Sequence, residues 1–91
     1  MHVRWTTNAA TDVTRIVERI RAESPEAALH VARTIYNGVA ELRKFPGRGR
    51  FGLAENTREL VFPPWPYIVV YEVGEDQVVV LRVRHASRNW P

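Results

Sequence analysis

Apolar residues early in the chain recur at helical spacing. Ala10, Val13, Ile16, Val17 and Ile20 fall on one side of a cylinder with 3.6 residues per turn, which predicts an amphipathic helix over residues 9–22. Thr7 or Asn8 stands where a side-chain oxygen can cap it. Ser24-Pro25-Glu26 then restarts the helical pattern: a serine N-cap, a proline at the first helical position and a carboxylate against the positive end of the helix dipole. Ala28, Ala32, Ile35, Val39 and Leu42 alternate steps of four and three, giving a narrow apolar seam. So short a joint folds the two helices into an antiparallel hairpin.

Elsewhere the period is two. Val3 and Trp5 alternate with Arg4 in a first strand over residues 2–6, and residues 58–62 alternate again. Pro63-Pro64-Trp65-Pro66 interrupts that run, because proline cannot donate to a ladder. Residues 67–73 and 77–84 are β-rich and flank Gly74-Glu75-Asp76, a hairpin signal. Between the second helix and these strands, Phe45-Pro46-Gly47 stops the helix, and glycines and arginines from Gly47 to Gly52 predict a mobile, basic loop. The expected fold class is α+β: an N-terminal strand, an antiparallel helical hairpin, then a three-stranded antiparallel meander, in the order β-α-α-β-β-β.

Strand alternation also assigns faces. It puts Val79, Leu81 and Val83 on one side of the last strand and Val78, Val80, Arg82 and Arg84 on the other. With His85 and Arg88 just beyond, and Arg58 opening the second strand of the meander, positive charge is expected to gather at one end of the sheet. A solvated rim of arginines gives the same pattern.

Length and composition narrow the possibilities. With 91 residues, 45% of them apolar, and no linker-like stretch, the chain is expected to form one domain over residues 1–91 with a modest core. Absence of cysteine removes disulfides, thiolate nucleophiles and thiolate metal sites, and fits a reducing compartment. No apolar run approaches a membrane span and no signal-peptide core is present, so a soluble, cytoplasmic protein without membrane attachment is expected. Twelve of the 13 cationic residues are arginine, a bias suited to phosphate or acidic protein surfaces, although a net charge of +3 does not choose between them. His2, His30 and His85 lack metal-ligand spacing, and no glycine-rich turn leads from a strand into a helix, so neither metal nor cofactor is expected. Tyr36, Phe45, Phe51, Phe62, Trp65 and Trp90 exceed what so small a core readily covers, which hints at an interface.

The segments Arg58-Glu59-Leu60-Val61, Pro66-Tyr67-Ile68-Val69-Val70-Tyr71 and Val83-Arg84-His85-Ala86-Ser87-Arg88-Asn89-Trp90-Pro91 resemble the RelE/ParE superfamily of bacterial toxins from type II toxin–antitoxin pairs. Leu42-Arg43-Lys44-Phe45-Pro46 with the Gly-Arg loop, and the Trp5-Thr6 and Ala10 start, extend the resemblance over nearly the whole chain. It implies a toxin held inactive in a hetero-oligomer by a cognate antitoxin protein. It also implies one of two targets, DNA gyrase for ParE-like members or the ribosome with its mRNA for RelE-like nucleases. Where RelE-like nucleases place two lysines this chain has Arg58 and Leu60, and where they place an arginine after the strand-three tyrosine it has Ile68. Losing that central cation removes several kcal/mol of charge stabilisation. Other nucleases of the superfamily use Glu, Arg and His, which keeps Glu59, His85 and Arg88 as catalytic candidates for a nuclease. The Tyr-Ile-Val-Val-Tyr strand and the His-x-x-Arg-x-Trp-Pro ending look ParE-like, implying gyrase inhibition, with Arg48, Arg50, Arg58, Arg82, Arg84, Arg88 and Trp90 as target-binding residues. A non-toxic remnant that still binds an antitoxin is the third reading.

Overall fold

The computed structural model describes residues 1–87. In chain order it contains β1 (His2–Trp5), α1 (Thr7–Glu23), α2 (Pro25–Glu41), a single 3-10 turn (Pro46–Arg48), β2 (Arg50–Phe51), β3 (Arg58–Phe62), β4 (Trp65–Val73) and β5 (Gln77–His85). The α+β class and the order β-α-α-β-β-β are as the pattern predicts, with the two-residue β2 added. The strands form one sheet in the order β1-β5-β4-β3-β2. It is mixed: β1 runs parallel to β5, while β2, β3, β4 and β5 pair antiparallel in succession. A parallel pairing requires a crossover, and the helical hairpin supplies it. No helix among the described residues is long and apolar enough to cross a membrane.

Both helices begin on a side-chain cap. Thr6, one residue earlier than expected, accepts a hydrogen bond from the Ala9 amide, and its own hydroxyl donates to the Leu81 carbonyl at 2.8 Å, so one residue caps α1 and ties it to β5. Ser24 caps α2 through the Ala27 amide. The buried stripe of α1 starts at Ala9, not at the exposed Ala10, because Ala9 lies one turn before Val13 on the same face. On α2 the seam is Ala28, Val31, Ile35 and Val39, with Val31 deeper than the expected Ala32. Ala9, Val13, Val31, Ile35, Val39 and Leu42 meet Leu60, Val69, Tyr71, Val78, Val80 and Val83 of the sheet in one core. Each such side chain contributes about 1.5–3 kcal/mol on leaving water.

A bulge corrects the face assignment in β5. Val70 pairs with Arg82 and Tyr71 with Val80, so Leu81 is an extra residue opposite no partner. One extra residue reverses the alternation beyond it. Val78 and Val80 therefore face the helices together with Val83, whereas strict alternation had separated them. Arg82 and Arg84 remain on the side away from the helices.

Candidate functional site

The sheet face opposite the helices is where charge collects. Arg50 on β2, Glu59 on β3 and Arg84 on β5 all project there, brought together by registers that set Arg50 beside Glu59 and Ile68 beside Arg84. Glu59 is buried, and both its oxygens are taken. Oε1 accepts from Arg50 Nε and Nη2 at 3.2 and 3.1 Å, and Oε2 accepts from Arg84 Nη2 at 3.3 Å. The Arg84 side chain is only 10% exposed, whereas that of Arg50 is 59% exposed. Hence the triad has an inner cation, a buried anion and an outer cation that meets solvent. The expectation that Arg84 presents free charge at the sheet end is corrected: the bulge and the β3–β4–β5 registers aim it at Glu59.

Arg82 is engaged at the neighbouring edge. β1 ends at Trp5, leaving the edge of β5 opposite β4 without a strand beyond Val80, and Asp12 of α1 takes that place. Its carboxylate accepts from the Val83 amide at 2.9 Å and from Arg82 Nε and Nη2 at 2.8 and 3.0 Å. These bonds raise the Arg82 pKa above its already high ordinary value, so its charge is permanent. The Asp12 role went unread because an acidic residue on a helix's polar face carries no sequence signal of where it reaches.

Arg58 does structural duty as well. Its Nη1 donates to the carbonyls of Gly47 and Gly49, at 3.2 and 2.8 Å, and its guanidinium lies 4.5 Å from the Phe51 ring centre. The buried Tyr71 hydroxyl completes the clamp, accepting from the Gly49 amide at 2.8 Å and donating to the Pro46 carbonyl at 2.7 Å. Burial raises the Tyr71 pKa, with the Gly49 hydrogen bond and the Arg58 charge opposing it. Gly49 is required by this approach, since a Cβ there would lie 2.7 Å from the Tyr71 hydroxyl and 2.8 Å from the Glu59 carbonyl oxygen. The turn that sequence predicts to be mobile is therefore fastened at four points. Arg48 sits on it, half exposed and ion-paired with Glu41.

His85 belongs to the other face. Its ring meets Tyr67, a residue packed on the core, edge-on at a centroid distance of 5.7 Å, and its Nδ1 bonds the Ser87 amide at 3.1 Å. Successive residues of a strand point to opposite sides. Glu59, beside Arg84, and His85, next along, therefore flank the sheet instead of facing one phosphate. Arg88 and Trp90 lie outside the described residues. Among the described residues no group of three or more His, Cys, Asp or Glu side chains is placed to hold a metal ion.

Comparison with known proteins places the chain. The family described as "ParE toxin of type II toxin-antitoxin system, parDE" matches residues 3–90. Toxin RelE2 of Caulobacter vibrioides is 40% identical over 86 residues, covering 94% of this chain and 96% of that protein. The solved structure of the chromosomal ParDE system from P. aeruginosa superposes with a TM-score of 0.84 at 27% identity, covering 96% of this chain and 97% of the other. The RelBE2 toxin–antitoxin complex of Mycobacterium tuberculosis gives a TM-score of 0.62 at 25% identity, over 92% and 95% of the two chains.

Proposed function

We propose, from the premise that this chain belongs to the ParE toxin family of type II toxin–antitoxin systems, that it arrests growth by binding and inhibiting DNA gyrase and that a cognate antitoxin neutralises it in a hetero-oligomer. The observation that carries the choice of target is the state of Glu59. A general base must reach the proton it removes. Here the carboxylate is buried with both oxygens held by Arg50 and Arg84, and His85 stands on the opposite face. Ile68, buried on the same face as Glu59, supplies no cation to a phosphate. That arrangement supports a surface that binds, with Arg48, Arg50 and Arg82 meeting the target while Arg58 and Arg84 hold the scaffold.

The purified protein is expected to inhibit supercoiling by gyrase at micromolar concentration. Glu59→Gln keeps the shape and removes the charge a general base would need, so a folded variant is expected to keep arresting growth. A second reading, cleavage of mRNA on the ribosome, draws on the likeness to Toxin RelE2 and to a RelBE complex. Absence of gyrase inhibition together with cuts in A-site codons in a translation extract establishes that reading instead. Unimpeded growth on induction without antitoxin removes both.

A further inference from the structure

β5 is nine residues long, but β1 flanks it only from Gln77 to Val80. Beyond that point the strand keeps β4 on one side and has no strand on the other. Backbone groups of an antiparallel strand turn to alternate edges. The Ala86 amide donates to the Pro66 carbonyl of β4 at 2.8 Å, so Arg82 and Arg84 also turn toward β4, while Val83 and His85 turn their N–H and C=O groups to the uncovered edge. The Val83 amide agrees, since it meets Asp12 on that side at 2.9 Å.

An uncovered edge is a template for another strand, and proteins blunt such edges by shortness, proline, charge or a covering element. The two outer edges of this sheet are blunted by the first two means: β1 has four residues and β2 has two, and where β3 runs on past β2, from Leu60 to Phe62, it meets Pro63-Pro64. The open stretch of β5 has neither. A second copy of the chain carries the same stretch. Two copies related by a two-fold axis at Arg84 set Val83 of each opposite His85 of the other, and residues so paired exchange both of their N–H···O bonds. Like charges facing each other across strands oppose pairing. Here, however, Arg84 reaches across β4 to Glu59, with Nη2 3.3 Å from Oε2, so its charge is drawn away from such an axis. Asp12 is the obstacle that stays. Its carboxylate occupies the Val83 amide, Arg82 holds it through bonds of 2.8 and 3.0 Å, and its side chain is 12% exposed.

We infer that Asp12 is an edge plug: by holding the Val83 amide it denies the open stretch of β5 to the same edge of a second copy and keeps the antitoxin-free chain monomeric. The test uses the full chain freed from its antitoxin, with sedimentation velocity over a concentration series and amide hydrogen exchange read by NMR. Wild type is expected to stay monomeric. Asp12→Ala is expected to dimerise at a concentration at least about tenfold lower than wild type, with the Val83 and His85 amides gaining protection as concentration rises. Asp12→Asn, which keeps an acceptor, and Tyr71→Phe, which weakens the fold on the β2 side of the sheet, are expected to remain monomeric. A monomeric Asp12→Ala overturns the inference. So does equal association of Asp12→Asn or of Tyr71→Phe, which makes lost charge or lost stability the cause, and so does association that leaves the Val83 and His85 amides unprotected. Antitoxin binding that breaks the Asp12–Arg82 pair in the wild-type complex, seen in the Arg82 Nε signal, also overturns it, because the edge is then a port for that partner. If Asp12→Ala does not fold, Asp12→Ser, whose oxygen stands one bond nearer the helix, is judged in its place by the same outcomes.

Discussion

Tyr71→Phe removes one oxygen and nothing else, so its cost isolates the clamp. The buried Gly49 amide loses its acceptor, a loss of about 1–3 kcal/mol for a buried donor left without a partner. Pro46 is partly exposed, so water can replace most of what its carbonyl loses. A net cost of about 2 kcal/mol is a large share of the roughly 5–15 kcal/mol that holds a small domain folded. In urea the midpoint is expected to fall by about 1 M at constant slope. The variant also carries a pH signature. Burial holds the Tyr71 pKa above its ordinary value, so the neutral phenol's contribution is complete below about pH 10 and is lost as pH rises through the folded-state pKa. Wild-type stability is therefore expected to fall more steeply than that of Tyr71→Phe above pH 10, with the two curves converging. A midpoint shift below about 0.3 M, or parallel alkaline limbs, refutes the reasoning. Gly49→Ala, which drives a methyl group at the same hydroxyl, is expected to cost as much or more by the same assay.

Further substitutions test other joints. Asp12→Ala strips the Val83 amide and the Arg82 guanidinium of one shared carboxylate and is expected to cost about 2 kcal/mol in chemical denaturation, with Asp12→Asn costing about half. Thr6→Ala deletes both the α1 cap and the bond to Leu81, so it is expected to exceed the roughly 1 kcal/mol typical of a cap, which Ser24→Ala should show alone. Gly38→Ala gains about 1 kcal/mol of helix propensity but pushes a methyl group into the Phe62 ring. It is expected to stabilise only in a Phe62→Ala background, a sign change that a double-mutant cycle measures directly.

The strands and helices were legible because each carries its own period. The β3 run from Arg58 to Phe62 and the Gly74-Glu75-Asp76 turn were read directly, and Ser24-Pro25 located the joint between helices to the residue. What escaped were effects between elements. A single bulged residue, Leu81, reversed the faces of β5, and no local pattern announces a bulge. The parallel pairing of β1 with β5 depends on where the helical hairpin delivers the chain. The Gly-Arg turn reads as mobile from its composition, and only the bonds from Arg58 and from Tyr71, some 22 positions away from Gly49, show how it is fastened. The site was legible in part: the arginines were named, but alternation alone does not say which of them a buried glutamate has already claimed. Phe45 and Phe51 stood out as surplus aromatics, while Leu53 gave no sign of its exposure.

The seam between β1 and β5 sets the order in which the molecule can be completed. Thr6 finds the carbonyl of Leu81, 75 positions further along the chain, and His2 to Trp5 find their partners in Gln77 to Val80. During synthesis the first strand emerges long before its neighbour exists, and such distant pairings form late. A nascent chain therefore lacks the finished sheet until β5 has been translated, and the first strand and the helical hairpin wait on a neighbour made long after them.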